Sequence, residues 1–99
     1  MTKSLRTIKD SLTKRKDTLT GTFKVKTIGV FGSYTQNHQR PGSDIDILVE
    51  FENRYKTFDN YMELKFYLEK ILNAKIDLVL KNVIKKEIKE HILSEAVYV

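Results

Sequence analysis

The sequence predicts an α/β fold of the α+β kind, a small mixed β-sheet of about three to four strands with helices packed on it. Three observations carry this. Two apolar runs, 25–31 and 44–51, flank a polar stretch that contains Pro41 and Gly42, so one strand ends where the next begins and the pair should be antiparallel. A third apolar run at 75–80 follows a helical stripe at 57–72, the strand–helix–strand order of a parallel crossover. Periodic apolar positions at both ends of the chain supply further helices.

The first helix is expected from Ser4 to about Leu19. Leu5, Ile8, Leu12 and Leu19 recur on one face, Ser4 or Thr2 is placed to cap the start, and Gly21 to stop it. Lys14, Arg15 and Lys16 then form a solvated basic face. Strand one is Val25–Phe31, with Ile28 and Val30 on one side and Thr27, Gly29 and Phe31 on the other. Residues 34–43 read as a loop, in which Tyr34 is expected to pack, His38 to be solvated, and Arg40 either to reach a phosphate or partner or to stand free. Strand two, 44–51, places Asp44, Asp46 and Leu48 on one face and Ile45, Ile47 and Val49 on the other.

The second helix runs from Thr57, its N-cap, to Leu72, with Asn73 as a left-handed end. Phe58, Tyr61, Leu64, Leu68, Ile71 and Leu72 form its apolar stripe, with Phe66 and Tyr67 near the stripe edge. Strand three, 75–80, puts Asp77 on a face with Val79. If it lies parallel to strand two, Asp77 falls beside Asp46. A third helix is expected over 82–96 from Ile84, Ile88 and Ile92, with outward lysines and a His91 that has no visible partner. The apolar tail Val97-Tyr98-Val99 suits an added edge strand or a partner contact.

With 99 residues the chain has room for a single domain, 1–99, and for no separate substrate-binding domain. Its 40% hydrophobic and 31% charged content suits a folded protein. There is no cysteine, which excludes disulfides and thiolate metal sites. No apolar run approaches the roughly 20 residues of a membrane helix. The lysine- and arginine-studded start is unlike a signal peptide, so the cytoplasm is the expected location. The formal net charge is +5, but the lysines are scattered and form no block typical of a dedicated nucleic-acid module.

The chemistry concentrates between Gly32 and Glu50. Asp44 and Asp46 sit at the mouth of an apolar strand, where two ionised carboxylates repel each other and resist desolvation. A divalent cation with oxygen ligands resolves both problems. Gly32-Ser33, a gap of ten residues, Asp44-x-Asp46, and Asp77 on a later strand together resemble the signature of nucleotidyltransferases of the DNA polymerase β type. They resemble most closely the minimal nucleotidyltransferases, over nearly the whole chain. One departure is Gln36-Asn37, where that family commonly has Arg-Gly.

The resemblance implies a polymerase β-like core, Mg2+ as cofactor and ATP as substrate. Asp44 and Asp46 would hold the metal ions, and Asp77 would complete the metal site nearest the acceptor hydroxyl and help take its proton. Gly32 would admit phosphate to backbone N–H groups, and the Ser33 hydroxyl would donate to the β- or γ-phosphate. It further implies an antitoxin that works in a hetero-oligomer with a HEPN-domain ribonuclease toxin, transferring AMP from ATP to a toxin tyrosine. Two other readings stay open: an antitoxin that neutralises by binding alone, which Gln36 and Asn37 favour, and a transferase acting on a small molecule or nucleic-acid end.

Overall fold

The computed structural model describes residues 4–35 and 44–99, apart from the side chain of Ser33. The expectations for Gln36, Asn37, His38 and Arg40 therefore lie outside the described residues. The helix expected over 4–19 is two: α1, Leu5–Lys14, and α2, Lys16–Gly21. They part at Arg15, which leaves helical geometry at φ −109°, ψ 18°. The apolar stripe explains the break. Three and four residues beyond Leu12 stand Arg15 and Lys16, so no apolar side chain holds that turn against the core. Ser4 caps α1 by accepting from the Thr7 N–H at 3.1 Å.

Strand β1, Val25–Phe31, pairs antiparallel with β2, Ile45–Phe51, and β2 pairs parallel with β3, Ile76–Leu80. The tail forms a short edge strand, β4, Val97–Tyr98, antiparallel to β1, giving the order β3-β2-β1-β4. The sheet is mixed, as its sequence order requires. A register shift between Val25 and Thr27 lets both Val25 and Ile28 face the core although they lie three residues apart. At Gly29 the Tyr98 side chain crosses the strand. A methyl group there would sit 3.1 Å from both Tyr98 Cδ1 and the Val97 carbonyl, so glycine admits the edge strand.

Helix α3, Phe58–Leu72, is the crossover between β2 and β3. Thr57 accepts from the Asn60 N–H at 3.2 Å, and Asn73 closes the helix at φ 49°, ψ 49°. Replacing Thr57 by Ala is expected to cost about 1 kcal/mol in a urea unfolding curve with an unchanged m-value. Asn60 adds a second tie, its Nδ2 donating to the Phe23 carbonyl at 2.8 Å and the Tyr55 carbonyl at 2.9 Å. The core lies between α1, α2 and α3 and one face of the sheet, with Ile8, Leu12, Leu19, Leu64 and Leu68 fully buried against Ile47 and Val49.

Three further expectations need correction. Phe58 is 75% exposed, because it occupies the first helical position, before α3 settles onto the sheet; the buried part of the stripe is carried by Leu64, Leu68 and Leu72. The last helix, α4, spans Lys86–Glu95 and not 82–96. Lys81–Val83 is instead a 3-10 turn, Ile84 is extended, and Lys85, the N-cap, makes no side-chain capping bond. None of the α4 residues is buried. His91 does have a partner, its Nε2 lying 2.6 Å from Glu95 Oε1 one helical turn on. No helix among the described residues is long and apolar enough to cross a membrane.

Candidate active site

The face of the sheet opposite α1, α2 and α3 carries the acids. Alternation along β2 sends Ile45, Ile47 and Val49 into the core, so Asp46, Leu48 and Glu50 project from the other side. The ladder then aligns three strands. Phe31 of β1 faces Asp46 of β2, and Asp46 faces Asp77 of β3. Neighbouring strands stand about 4.8 Å apart, so the two carboxylates emerge side by side on adjacent strands. Asp44, two residues ahead of Asp46 and just before β2, is exposed. The next positions along the face are Val79, Leu48 and Gly29, and Leu48 is 1% exposed, so the acids border an apolar floor.

Gly32 closes the other side of this row. It follows Phe31 at φ 74°, in the left-handed region, and begins a 3-10 turn to Tyr34. The Thr35 N–H and hydroxyl both donate to the Gly32 carbonyl, at 3.1 and 2.8 Å, and fix the turn. Tyr34 packs into the core at 6% exposure, as expected of it. Any Cβ at Gly32 would collide with Oδ2 of Asp46 and stand 3.0 Å from its Cγ. The absence of a side chain is therefore what allows the Asp46 carboxylate to lie against the turn. The Ser33 side chain is outside the described atoms.

The ordinary explanation for a lone strand aspartate is an ion pair. Among the described residues the ion pairs are Lys81–Glu50, at 4.0 Å, and His91–Glu95, and neither Asp44 nor Asp77 takes part in one. Nor do any three Asp, Glu or His side chains close into a metal-binding cluster among the described residues. Magnesium does not require one. It commonly takes one or two protein carboxylates and fills its octahedron with substrate phosphates and water. The donor chemistry of Asp44, Asp46 and Asp77, all hard oxygen at an open rim, fits that mode.

One contributor was missed from the sequence. Tyr61, on α3, donates its hydroxyl to the Leu78 carbonyl at 2.5 Å, next to Asp77. Burial, and secondarily the Asp77 carboxylate, push its phenol above the ordinary value, so it remains a donor at neutral pH. The signal was present: a tyrosine on an apolar helical stripe must find a partner for its O–H when it packs.

A mixed sheet with α1, α2 and α3 on one face, and acids in register beside a glycine turn on the other, defines a nucleotidyl-transfer scaffold. The pattern of the nucleotidyltransferase domain family matches residues 5–99, and the chain belongs to that family. The protein adenylyltransferase MntA of Thermococcus cleftensis is 42% identical over 96 residues, covering 97% of this chain and 96% of that protein. A Methanocaldococcus jannaschii protein provisionally named a protein adenylyltransferase is 48% identical over 99 residues, covering 98% of this chain and 99% of its own. A solved structure provisionally described as a minimal nucleotidyltransferase superposes with TM-score 0.81 at 28% identity, covering 96% of this chain and 95% of that one. A chain from the complex of tri-AMPylated Shewanella oneidensis HEPN toxin with MNT antitoxin shares the fold, at TM-score 0.66 and 21% identity, covering 95% of this chain and 70% of that one.

Proposed function

We propose that this chain, as one domain over residues 1–99, is a protein adenylyltransferase that moves AMP from ATP to a tyrosine hydroxyl of a HEPN-type ribonuclease toxin and so neutralises it. The observation that carries the reading is the pairing of Asp46 with Asp77 on adjacent parallel strands, against a Gly32 turn with no room for a side chain. Relatives of nearly the same length bear the protein adenylyltransferase name, which supports the same reaction class.

In this reading Asp44, Asp46 and Asp77 hold magnesium. Bound there, the metal offsets charge on the triphosphate and keeps attacking and leaving oxygens in line. Gly32 gives the phosphates access to backbone N–H groups, and the Ser33 hydroxyl donates to the β- or γ-phosphate. Asp77 lies on the strand at the sheet's edge, where an acceptor hydroxyl from another protein can approach, and its carboxylate is suited to receive the proton that hydroxyl loses. The hydroxyl oxygen bonds to the α-phosphorus, the bond to the β-phosphate bridging oxygen breaks, and pyrophosphate leaves. In this reading the partner supplies the acceptor-binding half of the site.

The test mixes the chain with ATP, magnesium and a candidate HEPN-type toxin, and weighs the toxin intact. A mass gain of one or more adenylyl groups is expected. An unchanged toxin mass within a tight complex would instead establish the second reading, neutralisation by contact, which rests on Gln36 and Asn37 standing where the family commonly has Arg-Gly. Modification of a small molecule or nucleic-acid end without any protein partner would displace both.

A further inference from the structure

The proposed reaction needs the Asp77 carboxylate held still, yet β3, which carries it, is an outer strand of the sheet with β2 on one side only. The hydrogen bonds show how it is held. The Ile45 N–H donates to the Lys75 carbonyl at 2.9 Å, so residue 75 turns its peptide groups toward β2. Alternation along a strand then turns Asp77 the same way, and Ile76 and Leu78 outward, to the side without a neighbouring strand. Those outward groups are met by α3. The Tyr61 hydroxyl donates to the Leu78 carbonyl at 2.5 Å, and Glu69 Oε2 accepts from the Ile76 N–H at 3.4 Å. The two residues that flank Asp77 are thus tied to one helix, and Asp77 itself is tied to β2.

We infer that Tyr61, with a weaker contribution from Glu69, is a positioning residue that fixes the Asp77 backbone against Asp46 by bracing the open edge of β3. The inference rests on the proposed role of Asp77. It explains why a hydroxyl stands at a stripe position that leucine fills elsewhere on α3. It also explains how an outer strand, the part of a sheet most free to fray, carries an acid that must not move.

The variant Tyr61→Phe removes the hydroxyl and keeps the ring. Amide hydrogen exchange in the free chain is the first readout, and needs no activity. Faster exchange at Asp77 and Val79, the β3 amides that alternation turns toward β2, is expected, with the amides of β1 unchanged. Unaltered exchange at 77 and 79 would overturn the inference whatever the state of the proposed function. The second readout is adenylyl transfer by the wild-type chain and the variant with the partner present. Displacements near 1 Å cost up to about a hundredfold in rate, so kcat is expected to fall roughly ten- to a hundredfold with KM for ATP within twofold. Leu64→Val, a core change on the same helix away from β3, is the control for lost stability. A Tyr61→Phe rate no lower than that of Leu64→Val would reduce Tyr61 to a structural role and overturn the inference. A wild-type chain that transfers nothing speaks against the proposed function, and the exchange result then decides the bracing by itself.

Discussion

Asp46→Asn is expected to reduce adenylyl transfer by at least about a thousandfold while leaving the fold intact. Removing one electrostatic contributor at the reacting centre of an enzyme costs on the order of 10²–10³ in rate. Asp46 is more central than that. It lies between Phe31 and Asp77 in the ladder and against the Gly32 turn, so it borders every other element of the site. Asparagine is nearly isosteric and keeps one oxygen, so packing survives while the charge that would attract the proposed magnesium is lost. Intact-mass analysis of the toxin after incubation measures transfer, and circular dichroism verifies the fold. Neutralisation of the toxin in cells by Asp46→Asn, equal to wild type, would show that contact alone suffices. Asp44→Asn should fall in the same direction, less steeply, since Asp44 stands exposed outside β2.

Gly32→Ala should impair both stability and transfer. Two separate penalties meet at this residue. At φ 74° an L-residue is strained, which costs roughly 1 kcal/mol. The added methyl would also collide with the Asp46 carboxylate, so either the turn or the carboxylate must shift. Together about 2–3 kcal/mol of lost stability is expected, read as a lowered denaturation midpoint. The carboxylate is the softer of the two, being the end of a side chain, so it yields first and transfer falls at least about a hundredfold. Gly21→Ala is the matched control, because open space surrounds that glycine and its φ is not positive. It should be neutral or slightly stabilising.

Much of this was legible because single rules governed it. The limits of β1, the caps of α3 at Thr57 and Asn73, the antiparallel and parallel pairings, and the alignment of Asp77 with Asp46 all follow from alternation, capping and crossover. The misses fall where two signals compete or where a tertiary partner decides. The break at Arg15 lay hidden because Leu12 and Leu19 fall on one face of a continuous helix, and only the gap between them marks the bend. The start of α4 lay hidden because Ile84 continues the spacing of Ile88 and Ile92 while its backbone is extended. Tyr61 was read as part of the stripe and Glu69 was not singled out, since the strand edge they meet exists only in three dimensions.

The parallel join of β2 to β3 has a kinetic consequence. Strands β1 and β2 can zip by a nearby reversal, whereas β3 must return across the whole of α3 before it pairs. Closing so distant a contact is slow relative to local pairing. A nascent or half-assembled chain therefore holds two of its three acids long before the third arrives. In the proposed reading, a copy that has not yet closed this pairing lacks the full set of acids and would not consume ATP.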